Sequence, residues 1–302
     1  MSTVKVTPAM VKELREKSSA GMLDCKNALE ACNGDINESM KWLREKGISK
    51  AEKKAGRVAA EGLCNAIANG NELVTYEVNC ETDFVAKNEN FVALVNKIGA
   101  ALVNSKAAND EEALKLEIDG KSIYEILLEA TAGGLGEKIS LRRVQRFTKN
   151  SNESFGIYKH QGGRIVSVVT VEGDLPEVAL NVAVHVVSSN PKFISREQVD
   201  QDVLAKEREV ILNEAMNENA TAAKPKPANI VEKMVEGRVN KYLQESCLVD
   251  QDFIIDPNQK VGQFVASNKS KIVAVVRVEV GEGIEKEVVD FAAEVAAQVK
   301  AA

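Results

Sequence analysis

The chain has 302 residues, more than one typical domain, so two or three modules are expected rather than a single core. Hydrophobic residues make up 44% and aromatics only 4%, so those cores must be built from Val, Ala, Leu and Ile. A formal net charge of -6 argues against a protein devoted to coating phosphate backbones, and apolar runs such as 182–187 and 272–276 are far too short to span a bilayer. The N-terminus lacks a signal-peptide core. Five scattered cysteines with no C-x-x-C pair fit a reducing, cytoplasmic setting, and two histidines exclude a multi-histidine metal centre. No cofactor is expected.

Three short helices are expected in the first 47 residues. Thr7 caps the first, and Pro8 occupies a position where a helix tolerates a missing N–H. Val11 and Leu14 open its apolar face. Met22, Cys25, Leu29 and Cys32 then recur at helical spacing, Asn33-Gly34 turns the chain, and Asp35 caps a third stripe of Ile36, Met40 and Leu43 ending at Gly47. Cys25 and Cys32 lie on one stripe and read as core. Three such stripes can enclose a small core of the ubiquitin-associated type, assigned to residues 1–55. Residues 41–57 carry Lys41, Arg44, Lys46, Lys50, Lys53, Lys54 and Arg57, a solvated helical strip or a contact strip for an acidic protein or RNA.

From Gly62 the pattern turns β-rich. The run LVTYEVNC at 73–80 follows a turn at Asn69-Gly70-Asn71, and a helical stripe of Phe91, Leu94, Val95, Ile98 and Leu102 comes next. The order strand, glycine turn, strand, Asp-containing loop, helix recurs around Gly162-Gly163, the strand 165–171 and the helix 178–187. Leu73 matches Ile165 and Asp83 matches Asp174, at offsets of 92 and 91 residues. The expected architecture is therefore α+β, with two related subdomains holding antiparallel sheets: residues 56–151, and residues 152–194 with 247–280.

Residues 195–246 break this order. Val199, Val203 and Val210, then Val231, Val235 and Tyr242, fall near heptad spacing, and Lys224-Pro225-Lys226-Pro227 interrupts any continuous helix. An antiparallel helical hairpin with a loose tip is expected. A strand at 272–280 and a helical module at 281–302, with the stripe Ile284, Val288, Phe291, Val295 and Val299, complete the chain.

Enzyme signatures are weak. The segment Gly133-Gly134-Leu135-Gly136-Glu137-Lys138 has Glu137 where a phosphate-binding loop has glycine, and Ile139 where it has a hydroxyl. A Cys80–His160 thiol centre is compatible with spacing, but an apolar strand raises a thiol's pKa. An RNA-binding alternative would use 41–57 with Arg142, Arg143 and Arg146. The informative segment is NCETDFVAKN at 79–88, a surface connection carrying Phe84 and Val85 between polar residues. By spacing alone, Phe84 reads as a staple folded beneath the following helix; the other reading is an exposed hydrophobic wedge with Asp83 beside it.

The run Glu77-Val78-Asn79-Cys80-Glu81-Thr82-Asp83-Phe84-Val85-Ala86-Lys87 resembles the signature of the elongation factor Ts family. So do Leu14-Arg15-Glu16-Lys17, Gly21-Met22-Leu23-Asp24-Cys25-Lys26, Lys53-Lys54-Ala55-Gly56, Met234-Val235-Glu236-Gly237-Arg238 and Val280-Gly281-Glu282-Gly283-Ile284-Glu285-Lys286. The resemblance runs in order along essentially the whole chain. It implies guanine nucleotide exchange on elongation factor Tu, a GTPase, rather than enzyme chemistry, with no direct contact to nucleic acid or membrane. It implies that Thr82, Asp83, Phe84 and Val85 insert near the partner's magnesium and phosphates, which overrides the staple reading. Arg15, Met22, Lys54 and His160 are carried over as supporting contacts, and the arm at 195–246 as a candidate dimerisation surface. Ser18-Ser19 and Leu23 depart from the family's usual Thr-Gly and second Met, and the arm's tip is longer than usual.

Overall fold

The computed structural model describes residues 5–18 and 20–285; the expected helix beyond Glu285 and Ser19 lie outside the described residues. The fold is mixed helix and sheet with small antiparallel sheets. Within the described residues the chain forms two compact units: 5–69, 73–146 and 279–285 in the first, 70–72 and 147–278 in the second.

The first unit begins with helices α1 (Pro8–Ser18), α2 (Met22–Ala31) and α3 (Ile36–Lys54). Thr7 Oγ1 accepts from the Met10 amide and Asp35 Oδ1 from the Glu38 amide, so both helix starts are fixed by side-chain caps. Leu14, Cys25, Ala28 and Leu29 form their core, with Val11, Met40 and Leu43 packed around it. Cys32 is only half-buried and sits at the C-cap of α2. The third helix does not stop at Gly47. A Cβ at Gly47 would stand 3.3 Å from the Ala132 methyl of a helix further along, so the missing side chain marks close helix packing, not a terminus.

Next come β1 (Glu61–Asn69), β2 (Glu72–Cys80), a single turn α4 (Asp83–Ala86), α5 (Glu89–Val103), α6 (Asp110–Leu114), the pair β3 (Glu117–Ile118) and β4 (Lys121–Ser122), α7 (Ile123–Ala132) and β5 (Ser140–Thr148). The sheet order β1-β2-β5 makes β2 central. Its successive residues alternate in direction. Val74, Tyr76, Val78 and Cys80 join the main apolar cluster with Phe91, Val95, Ile98 and Leu102 of α5. Tyr76 keeps its hydroxyl satisfied by donating to the Val95 carbonyl at 2.9 Å.

The other face of β2 carries Glu77, a fully buried carboxylate. It accepts from Asn79 Nδ2 at 2.7 Å and from the Gly281 amide at 2.7 Å, and it pairs with Arg142 Nε at 3.1 Å. Arg143 Nε lies 2.7 Å away as an ion pair whose N–H points off the hydrogen-bond line. Adjacent strand residues normally face opposite sides. Here Arg143 adopts φ 54°, and the amides of Arg143 and Val144 donate to the Asp110 carboxylate at 3.1 and 2.7 Å, so both arginines turn to Glu77. Gly281, at φ 77°, has no room for a side chain: a Cβ would meet the Ala60 carbonyl oxygen at 2.4 Å.

The second unit holds β6 (Glu153–His160), β7 (Ile165–Glu172), α8 (Pro176–Ser189), α9 (Gln201–Thr221), α10 (Ala228–Ser246), α11 (Val261–Ser267) and β8 (Ile272–Glu279). Its sheet runs β6-β7-β8, with β6 and β7 antiparallel from Glu153 opposite Glu172 to His160 opposite Ile165. Val178, Ala179, Val182, Ala183 and Val186 of α8 pack on Val169 and Val171. Between α9 and α10 the seam is Ile211 and Ala215 against Val231 and Val235. The heptad expectation for Val203 and Val210 fails: the two share one face of α9, but it is the Ile211–Ala215 face that meets α10, so both are exposed. Val199 is buried ahead of that helix, with Leu243 and Cys247.

His185 is buried in this unit. Its Nδ1 accepts from the Ile254 amide at 3.2 Å, which fixes the proton on Nε2, 2.8 Å from Gln251 Oε1. Burial holds its pKa below the usual 6.5.

Two measurements follow from these buried groups. Glu77→Ala strips two arginines of their carboxylate and should lower the first unit's stability by about 3 kcal/mol, the low end for a broken buried pair because both guanidiniums remain part-exposed. Urea unfolding read through Trp42, the only tryptophan, reports that shift. For His185 the unfolded chain binds the extra proton, so its contribution is whole above pH 6.5 and is lost as pH falls below it. Between pH 7.5 and 5.5 the second unit should lose about 1.4 kcal/mol at most, and thermal melts of His185→Gln should lack that slope.

Candidate functional site

The segment 79–88 leaves the buried central strand and must reach α5 within a few residues. Asn88 caps α5 through Oδ1, which accepts from the Asn90 amide at 2.9 Å. Ahead of it, Thr82 is the N-cap of the single turn α4, its Oγ1 accepting from the Val85 amide at 3.4 Å. Val85 packs against the main core and Ala86 is buried within it. Phe84 points the other way and is 82% exposed. The staple reading from spacing is thus corrected: the residue folding inward is Val85, because one helical turn places neighbouring side chains on different faces.

A single turn is not self-supporting, since nucleating a helix fixes several dihedrals for one hydrogen bond. Its support comes from 133–138, the segment between α7 and β5. Glu137 Oε2 accepts from the amides of Glu81 and Thr82, each at 2.9 Å, and its Oε1 accepts from Thr82 Oγ1 at 2.6 Å. In return Glu81 Oε1 accepts from the Lys138 amide at 2.7 Å. Arg57 flanks Glu81 at 3.3 Å, and Lys138 Nζ donates to the Arg57 carbonyl at 2.9 Å. Asp83 and Lys87 pair at 2.7 Å across the turn, which holds the Asp83 carboxyl below its usual pKa. Both are largely in water, so this pair contributes little to stability.

Other residues expected from sequence are distributed differently. Arg15 is exposed on α1 and Met22 on the first turn of α2, beside exposed Leu23. Lys54 points inward: its Nζ donates to the carbonyls of Thr131 at 3.0 Å and Gly136 at 2.6 Å. His160 ends β6 in the second unit, half-buried, its ring 6.2 Å from that of Tyr158. Glu137 and Glu81 are functional candidates that sequence reading missed. The only signal was negative, a glutamate standing where a phosphate-binding loop needs glycine.

The competing chemistries fit poorly. Segment 133–138 follows a helix instead of leading into one, so its amides form no phosphate cradle at a helix N-terminus. Cys80 donates to the Thr82 carbonyl at 3.1 Å, and burial, reinforced by Glu137, pushes its thiol up to about 12. Arg142 and Arg143 are committed to Glu77, and Arg146 donates to the carbonyls of Leu102 and Ala107, so the RNA-binding alternative loses its second patch. In the 41–57 strip, Arg44 pairs with Glu125 and Lys46 stacks over Trp42. Among the described residues no His, Cys, Asp and Glu cluster could hold a metal, and no helix is long and apolar enough to cross a membrane.

With its thiol pushed up to about 12, Cys80 is almost wholly protonated at neutral pH. A native alkylation time course followed by mass spectrometry should therefore label half-buried Cys32 long before Cys80.

Residues 81–282 match the family described as "Elongation factor TS". Over 295 residues the chain is 50% identical to the Elongation factor Ts of Acholeplasma laidlawii (strain PG-8A), an overlap of 97% of this chain and 99% of that relative.

Proposed function

The chain belongs to the elongation factor Ts family, and on that premise we propose that it is a guanine nucleotide exchange factor of translation elongation. It binds elongation factor Tu carrying GDP in the cytoplasm, dislodges Mg2+ from that site and promotes GDP release so that GTP can rebind. It makes and breaks no covalent bond. The observation that carries this reading is Phe84: a large apolar side chain, 82% exposed, on a turn whose backbone is tied down on its inner side. A single exposed apolar residue is ordinary on a protein surface; what sets Phe84 apart is that it is the most exposed large apolar side chain among the described residues and stands on a clamped turn. Thr82, Asp83, Phe84 and Val85 form the inserted element, with Thr82 and Val85 holding it and Asp83 and Phe84 presented.

Exchange works by reciprocal linkage: if this protein binds the empty GTPase more tightly than the GDP-bound one, GDP weakens its binding by the same factor. Burying Phe84 supplies about 1.5–3 kcal/mol. Inverting a population from 1:99 to 99:1 takes about 5.5 kcal/mol of differential affinity. One side chain is insufficient. The remainder comes from a broad interface fitted to the shifted partner, in which exposed Arg15 and Met22 and, in the second unit, His160 are contacts. Loss of the magnesium adds leverage, because that ion neutralises the phosphates. Lys54 enters this reading as an internal clamp on 133–138 more than as a contact. The arm, α9 and α10, is a further docking or dimerisation surface, and the 1–55 bundle, the two sheet subdomains and the 281–302 module are the separate grips.

Phe84→Ala should leave the melting profile intact, because an exposed side chain supports no core, and should slow GDP release by about 10-fold or more. Stopped-flow release of labelled GDP from elongation factor Tu checks it; a folded variant with unchanged rates would refute the wedge.

A further inference from the structure

We infer that Glu137 is the positioning residue of the 81–85 loop, setting the direction in which Phe84 is presented before any partner arrives. The inference rests on the exchange reading above and adds a residue to it. The turn supplies only part of the hold on Phe84: Thr82 caps it and Val85 and Ala86 seat it on the core, but the Phe84 side chain stands in solvent and α4 is four residues long. The remaining freedom is the angle at which the turn leaves β2, and that is set by the backbone at 81–82. That backbone is held from a segment 55 residues away in sequence by one carboxylate accepting three donors, at 2.9, 2.9 and 2.6 Å.

The holder is itself held. Lys54 Nζ grips the Gly136 carbonyl at 2.6 Å and the Thr131 carbonyl at 3.0 Å, and the Ile139 amide donates to Thr131 Oγ1 at 3.0 Å. Glu81 accepts from the Lys138 amide, so each strand of the clasp caps amides of the other. The bonds are charge-assisted, shorter and stronger than neutral ones. A loop ordered in advance avoids paying its ordering cost during insertion, so the benefit appears in the insertion step and not in the initial grip.

The test is stopped-flow GDP release from elongation factor Tu, titrated with full-length variants to saturation. Glu137→Ala should lower the saturating release rate by about 5- to 30-fold, the loss of one to two ordinary hydrogen bonds' worth of pre-ordering, while the half-saturating concentration moves less than about 2-fold. Glu137→Gln should stay within about 2-fold of wild type, since its carbonyl still serves the two amides and its NH2 can donate to Thr82 Oγ1. In the free chain, hydrogen exchange at the amides of 81 and 82 should quicken in Glu137→Ala and not in Glu137→Gln. If the alanine variant loses its cooperative melt, Glu137→Asp, which keeps the charge and shortens the reach, should show the same split at smaller size. Wild-type saturating rates in the folded variant, or a loss confined to half-saturation, would overturn the positioning role and leave the exchange reading standing. A wild-type chain that fails to speed release overturns the exchange reading and this inference with it.

Discussion

The first unit is organised around one buried negative charge. A lone carboxylate in an apolar interior is unstable by many kcal/mol, so Glu77 forces its surroundings to supply compensation. They do so from four directions: Asn79 on its own strand, Arg142 and Arg143 on β5, and the Gly281 amide from the end of the described chain. The left-handed turn at Arg143 is the local cost of bringing two successive arginines to one point, about 1–3 kcal/mol for a residue of that kind. Desolvation offsets much of what such a pair gains, while removing one partner leaves the other charge buried and uncompensated.

That constraint reaches the site through β2. Three residues beyond Glu77 the same strand ends at Cys80, and the next two residues are the ones clasped by Glu137. The loop thus leaves a strand that cannot slide and is caught at once by a segment that is itself anchored to α3 and α7. An exposed aromatic on such a mount differs from one on a free loop. Its apolar surface is available without a search through conformations, which suits the exchange role proposed above.

Much of this was legible in the sequence where the signal was local. Thr7 and Asp35 as caps, the stripe from Phe91 to Leu102, and the Pro-interrupted hairpin all follow from spacing and side-chain chemistry within a few residues. What spacing could not supply was direction relative to distant parts. Val203 and Val210 share a face, but only the partner helix decides that Ile211 and Ala215 are the inner ones. Gly47 reads as a stop until Ala132 is seen against it. Phe84 and Val85 are adjacent apolar residues, and period alone cannot say which one turns inward. Arg142 and Arg143 look like a basic patch because a regular strand would send them apart, and the turn that unites them depends on Asp110, more than thirty residues earlier. The clasp of Glu137 on 81–82 joins segments more than fifty residues apart, beyond any local pattern.

The route of the chain through its two units has a consequence for biogenesis. The first unit is interrupted after residue 146 and resumes only at 279, and the amide that completes Glu77's shell belongs to Gly281. As the polypeptide leaves the ribosome, that carboxylate waits through the synthesis of the entire intervening unit before its last backbone donor exists. The N-terminal part is thus synthesised with three of the four groups that surround Glu77, and a product truncated upstream of the Gly281 codon lacks the fourth.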